Sequence, residues 1–207
     1  MINKSRLNDI ARLDVKAKLH PEIFTILYEH RRYIKSVFLE IYGLYEICHF
    51  AITVINPSKE IIVFSATPNI EFNLIKRELW QDDICFSPEI NSANKLCWWD
   101  LNQDESFSRK IKLENNSFTQ GFTIPRKIDN FYFLYSFATK SFRTDLYNYY
   151  DSNCFGLIDL GDYFFKSIKH LYSSYYPKQI LPELSTLFSK SSKFSTNSSL
   201  KLVVANK

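Results

Sequence analysis

The segment FYFLYSFAT (131–139) restricts the possible fold more than any other stretch, because it is apolar on both sides of an extended strand. Alternate residues of a strand point to opposite faces of its sheet. One face would carry Phe131, Phe133, Tyr135 and Phe137, and the other would carry Tyr132, Leu134 and Ala138. Strands of this kind lie at the centre of a sheet that helices cover above and below. The segment therefore predicts a layered fold.

The remaining periodicities supply the other parts of such a fold. Apolar runs predict three more strands, at 47–55, 60–67 and 118–127. Apolar residues at helical spacing predict helices at 21–42, 68–80, 104–116 and 144–151, and the core of a long amphipathic helix at 161–176. A shorter helix is expected at 4–18, and a short helix or coil at 180–188. We expect an α+β protein, an α-β-α sandwich with a small antiparallel sheet and helices on both faces, in the style of PAS and GAF modules. One domain is expected over 1–188, followed by a mobile Ser-rich tail over 189–207.

Composition and motifs argue against several classes of function. No apolar run reaches the roughly 20 residues that span a bilayer, so we expect a cytoplasmic protein with no membrane contact. The four glycines form no phosphate-binding loop, and the four cysteines form no CxxC pair. Because no nucleophile, metal or paired-carboxylate motif is present, we expect no enzyme activity, no metal and no cofactor. The two ends of the chain are mildly basic, without a run of five like charges, so direct DNA binding is not expected.

Three features of the sequence point to a known family. The strand GFTIPRK (121–127) is followed by LYSFAT (134–139), and Trp98 follows Asp83 by fifteen residues. The third feature is the order of the predicted elements over about residues 20–176. Together they resemble the autoinducer-binding domain of LuxR-type quorum-sensing regulators, which has a similar strand pair and the same spacing between an aspartate and a tryptophan.

The resemblance implies a ligand pocket between the sheet and one helical layer. Within it, Asp83 would accept a hydrogen bond from the ligand, Trp98 would donate one, and Ser136 would contact an acyl carbonyl. We expect the same pocket to include three further residues, Trp80, Tyr135 and His49. Alternatives stay open at each position: a solvated acidic loop at Asp82–Asp83, packing roles for both Trp98 and Trp99, a backbone partner for Ser136, and a core position for His49.

The sequence also departs from that family. Ile70, Leu74 and Ile84 stand where the family has a tryptophan, a tyrosine and a proline, so an apolar ligand other than an acyl-homoserine lactone is expected. No recognition helix is predicted after residue 190. The leading hypothesis is a non-catalytic sensory module that binds a small apolar ligand and pairs with itself or with a full-length regulator. The alternative is a protein–protein interaction module, an antagonist or effector, with a vestigial, closed pocket.

Overall fold

The computed structural model describes residues 17–81, 96–100 and 107–182. The expected short helix is described only at its end, where Lys18–Leu19 is a strand. Most of the expected helix at 180–188 and the whole Ser-rich tail at 189–207 lie outside the described residues, as does Asp83. The boundary expected between 188 and 189 therefore stays a prediction.

The described residues form a single open sheet of six strands in the order β1-β3-β2-β6-β5-β4. The strands are β1 (Lys18–Leu19), β2 (Ile47–Ile55), β3 (Glu60–Ser65), β4 (Cys97–Trp98), β5 (Gln120–Ile128) and β6 (Phe131–Thr139). All neighbouring pairs are antiparallel except β1 and β3, which are parallel. The expected central position of 131–139 is confirmed, because β6 pairs with β2 on one side and β5 on the other.

Six α-helices flank the sheet in the described part of the chain. They are α1 (Ile23–Glu29), α2 (Arg31–Ile41), α3 (Pro68–Lys76), α4 (Phe107–Lys112), α5 (Leu146–Ser152) and α6 (Cys154–Tyr175). Buried side chains place α2, α5 and α6 on one face of the sheet, and α3 and α4 on the other. Helix α1 contributes Ile26 to the first side and Ile23 and Leu27 to the second. The predicted α-β-α sandwich is therefore confirmed. No helix among the described residues is long and apolar enough to cross a membrane.

One helix prediction was wrong in detail: the single helix expected over 21–42 is divided at His30, which caps α1 and precedes α2. The stretch 161–176, expected as the core of a long amphipathic helix, belongs to a helix that begins at Cys154, so that Gly156 and Gly161 lie inside it. Gly161 has a packing reason to be there, because a Cβ atom at this position would lie 2.2 Å from the ring of Tyr135. The absence of a side chain lets α6 approach the sheet closely.

The two faces of the sheet carry side chains of very different size. We call the side under α2, α5 and α6 the aromatic face, and its buried rings are Phe50, Phe64, Phe122, Phe133, Tyr135 and Phe137. A polar contact ties this face to α6, since Asp162 accepts hydrogen bonds from the Tyr135 hydroxyl (2.6 Å) and from Arg126. The opposite side carries much smaller residues and is where an internal space is left.

Candidate functional site

The strand register explains why the second side of the sheet has room for a cavity. Ala51 on β2 lies beside Ser136 on β6, which in turn lies beside Thr123 on β5. All three have small side chains, whereas their neighbours along each strand are large and point to the aromatic face. Together with Thr53, Val63 and Leu134 they form what we call the cavity face.

Helix α3 and the adjoining segments close this space from above. Ile70, Leu74 and Ile75 supply the apolar wall, and Trp80 and Trp99 also line the space. Glu71 and Lys112 add ionisable groups to a lining whose other polar residues are Thr53, Thr123 and Ser136. The cavity is partly open, and its volume is about 50 Å³. A water molecule needs roughly 10–15 Å³ on such a measure, so the space holds a few waters or one small chemical group.

A chain of three polar groups crosses the floor of the cavity. The indole Nε1–H of Trp99 donates to Thr123 Oγ1 at 3.0 Å, and Thr123 Oγ1 lies 3.0 Å from Ser136 Oγ. Either hydroxyl of the Thr123–Ser136 pair can donate to the other. When Thr123 donates, the Ser136 proton is free for an acceptor in the cavity.

A second polar group lies where α3 meets β2. His49 is fully buried, and its Nε2 atom lies 3.7 Å from Glu71 Oε1, too far for a hydrogen bond. Burial lowers the pKa of His49 to about 3, so the imidazole is neutral at neutral pH. Burial raises the pKa of Glu71 to about 7, although the Ser65 hydroxyl and the charge of Lys112 act in the opposite direction.

The structure brings some of the predicted site residues to the cavity and separates others from it. Ser136 and Trp80 line it. His49 lies on the same side of the sheet, next to Glu71, and contacts the rings of Trp99 and Phe118. A role for these residues in ligand binding stays a prediction.

Trp98 and Tyr135 lie on the other side of the sheet, so the expected convergence with Ser136 is not what the structure contains. Trp98 packs on Phe122 and Tyr147, with ring centroids 5.1 and 4.5 Å apart. Tyr135 is fully buried against α6. Strand alternation is the reason, because Tyr135 and Ser136 are adjacent and cannot face the same layer. Asp83, expected to join them, lies outside the described residues.

Of the polar residues that line the cavity, Thr123, Glu71 and Lys112 were not singled out from the sequence, and Trp99 was considered only together with Trp98. Thr123 carried a usable signal, since it shares a strand face with Gly121, whereas only the structure shows that the backbone N–H of Trp99 donates to the Gly121 carbonyl. The two charged residues had no such signal, because charges on amphipathic helices are normally solvated. Among the described residues, no group of three or more His, Cys, Asp or Glu side chains could hold a metal ion.

Comparisons with known proteins give partial matches to solved structures only. No protein-family model matches the chain, and no curated protein does. A crystal structure of Escherichia coli SdiA matches at 16% identity and a TM-score of 0.48, over 76% of this chain and 73% of that one. A structure of SdiA in complex with octanoyl-rac-glycerol matches at 13% identity and a TM-score of 0.48, over 75% of this chain and 64% of that one. At these identities, the chemistry of the site depends on the residues of this chain.

Proposed function

We propose that this chain is a non-catalytic sensory module that binds a small, largely apolar molecule between the cavity face and α3. The observation that carries the proposal is the row Ala51–Ser136–Thr123, which leaves a hollow under α3 and sets a hydroxyl group at its floor. An apolar lining with a few placed polar groups is the general character of small-molecule sites.

Ligand binding would act on the fold by filling this space. The gain in unfolding free energy is about 2.7 kcal/mol when the free ligand is at 100 times its Kd. By the same differential affinity, the ligand raises the population of the conformation that accommodates it. A binding event inside the sandwich therefore becomes a change in the conformation of its surface.

A thermal-shift experiment tests the proposal. Suitable probes are 1-octanoylglycerol, the type of molecule present in one SdiA structure, and N-octanoyl homoserine lactone, tested with the wild type and with Ala51→Leu. A ligand at 100 times its Kd should raise the melting temperature of the wild type by about 5–10 °C. The leucine should fill the hollow and abolish that shift. Equal shifts in both proteins, or none with any apolar probe, would overturn the proposal.

We propose further that the readout is pairing through the long helices, either with a second copy or with a full-length regulator. Exposed apolar side chains on α2 and α6 support this: Leu39 is 60% exposed and Phe155 is 74% exposed. Sedimentation velocity should show a concentration-dependent dimer that the double substitution Leu39→Ser and Phe155→Ser converts to monomer. Unchanged sedimentation of the double variant would exclude these side chains as the interface of a homodimer. To test the heterodimer, the wild type and the double variant would each be used to pull down a full-length regulator.

The small volume of the cavity favours a second candidate function. Ligand sites commonly measure about 300–1,000 Å³, well above the roughly 50 Å³ found here. An interaction module with a closed, vestigial pocket would need no ligand. In that case, Ala51→Leu would leave partner binding unchanged, whereas Leu39→Ser with Phe155→Ser would abolish it.

A further inference from the structure

One carboxylate oxygen in the cavity lacks a partner. Glu71, in the first turn of α3, lines the cavity with a side chain that is 12% exposed, and its Oε2 atom is buried. Within the described part of the chain, Oε2 has no hydrogen-bond partner. Buried polar atoms of native proteins nearly always have one, and an exception calls for an explanation.

The groups around Glu71 do not supply that partner. From β2, His49 approaches the other oxygen, Oε1, at 3.7 Å, and neither of its ring nitrogens is hydrogen-bonded within the described residues. From β3, the Ser65 hydroxyl lies close enough to the carboxyl group to lower its pKa, and from α4, the positive charge of Lys112 acts in the same direction. The Lys112 Nζ atom itself lies 5.2 Å from the centre of the Trp99 ring. Oε2 is therefore available to a molecule in the cavity.

We propose that Glu71 selects the ligand, by accepting a hydrogen bond at Oε2 from a hydroxyl or amide N–H group of the bound molecule. The inference rests on the proposed function and specifies its ligand class. When Thr123 donates to Ser136, the Ser136 hydroxyl on the floor can donate to an acceptor atom of the same head group. The ligand is thus an uncharged alcohol or amide with an apolar tail against Ile70, Leu74 and Val63.

A fatty-acid carboxylate fits this arrangement less well than an amide of the same length. It has no donor for Oε2, and it would bring a second negative charge next to Glu71. An ester has the acceptor for Ser136 and no donor. The three head groups therefore separate the contribution of Glu71 from that of the apolar tail.

Binding of such a donor is coupled to the protonation of Glu71. An ionised carboxylate is a stronger acceptor than a carboxylic acid, so the bound ligand favours the ionised form. Near pH 7, Glu71 is protonated in a fraction of the free protein molecules. Ligand binding at this pH therefore releases protons, and the affinity for the ligand rises from pH 6 to pH 8.

Titration calorimetry with octanamide, methyl octanoate and octanoate tests the inference on the full chain. The wild type should bind octanamide at least about tenfold more tightly than the other two, a ratio of the size expected for one hydrogen bond to a charged group. In Glu71→Leu that preference should fall to about twofold. In two buffers of different ionisation enthalpy, the wild type should release protons on binding octanamide at pH 7, and Glu71→Gln should not.

The outcomes separate this inference from the proposed function. Tight binding of methyl octanoate or octanoate to the wild type, at the affinity of octanamide, overturns the role of Glu71 and leaves a ligand-binding module. Absence of binding by all three compounds and by the acyl probes overturns both. If Glu71→Leu fails to fold, the wild-type preference and the proton release lost in Glu71→Gln decide the question.

Discussion

The two faces of the sheet differ in how their side chains pack, although the same strands form both. On the aromatic face, rings from β2, β5 and β6 pack on α6. The ring centroids of Phe50 on β2 and Phe164 on α6, for example, are 4.5 Å apart. On the cavity face, the adjacent residues of the same strands are Ala51, Thr123 and Ser136, and a space remains. Because alternate residues of a strand point to opposite faces, the same short segments form both the close-packed aromatic face and the cavity face.

The difference has an energetic meaning. Close-packed rings contribute burial and dispersion that a small side chain cannot replace. A hollow face loses those contacts and gains an adaptable volume. We expect substitutions on the aromatic face to act on folding, and substitutions on the cavity face to act mainly on ligand binding.

The largest expected effect comes from truncation of a ring on the aromatic face. Phe137 is fully buried, and Phe137→Ala should lower the unfolding free energy by about 3–5 kcal/mol through lost burial and a new cavity. Its strand neighbour on the cavity face provides the matched control, since Ser136→Ala should cost about 1 kcal/mol or less. Denaturant unfolding measures both. Similar losses for the two variants would show that the faces do not differ in packing.

A pH series on His49 and Glu71 gives the next largest effect. His49 has its pKa lowered from 6.5 to about 3, so its contribution to stability is lost as pH falls below 6.5. Glu71 has its pKa raised from 4.5 to about 7, so its contribution is lost as pH rises from 4.5 through 7. Between pH 4.5 and 6.5 the two opposite trends cancel, and the wild type should be nearly insensitive to pH.

Single substitutions should expose each trend. Glu71→Gln should lose up to about 3 kcal/mol of unfolding free energy between pH 7 and 4, at about 1.4 kcal/mol per pKa unit. His49→Gln should lose a similar amount between pH 4.5 and 7.5. Denaturant unfolding across this range measures the slopes, and slopes of the same sign in the two variants would contradict the assignment.

A smaller difference in stability is expected between two alanine positions on the side of the sheet that faces α3. Ala51 lines the cavity, whereas Ala138 is fully buried on the same side, packed in a cluster with Cys97 and Trp99. Ala51→Leu should change stability by less than about 1 kcal/mol, and Ala138→Leu should cost about 1–3 kcal/mol through overpacking. Thermal denaturation compares them, and an equal cost at the two positions would mean that no usable space exists at Ala51.

Much of the architecture could be predicted from periodicity. The strand 131–139 was placed correctly at the centre of the sheet because its pattern is apolar on both parities, which few other environments allow. Strands β1 and β4 were not predicted, because two residues are too few to show a period. The break at His30 was also missed, since the apolar spacing continues across it from Ile26 to Ile34.

The site was harder to predict than the fold. Ser136 was placed at a pocket, but Tyr135 was placed there as well, against the alternation that the same strand pattern implies. Trp98 was preferred to Trp99 only because of its spacing from Asp83. The pairing of β4 with β5 instead places Trp99 at the cavity and Trp98 on the aromatic face. Glu71 and Lys112 depend on how helices dock against the sheet, and that information is not local in the sequence.

Methyl-resolved NMR with an added acyl probe, such as octanamide, tests the central claim most directly. The methyl groups of Val63, Leu74 and Leu134 report on the cavity, and those of Ile52, Val54 and Ile124 report on the aromatic face. A ligand in the cavity should shift the first set strongly and the second only slightly. Equal shifts on both faces, or shifts confined to Ile52, Val54 and Ile124, would contradict a binding site between the sheet and α3.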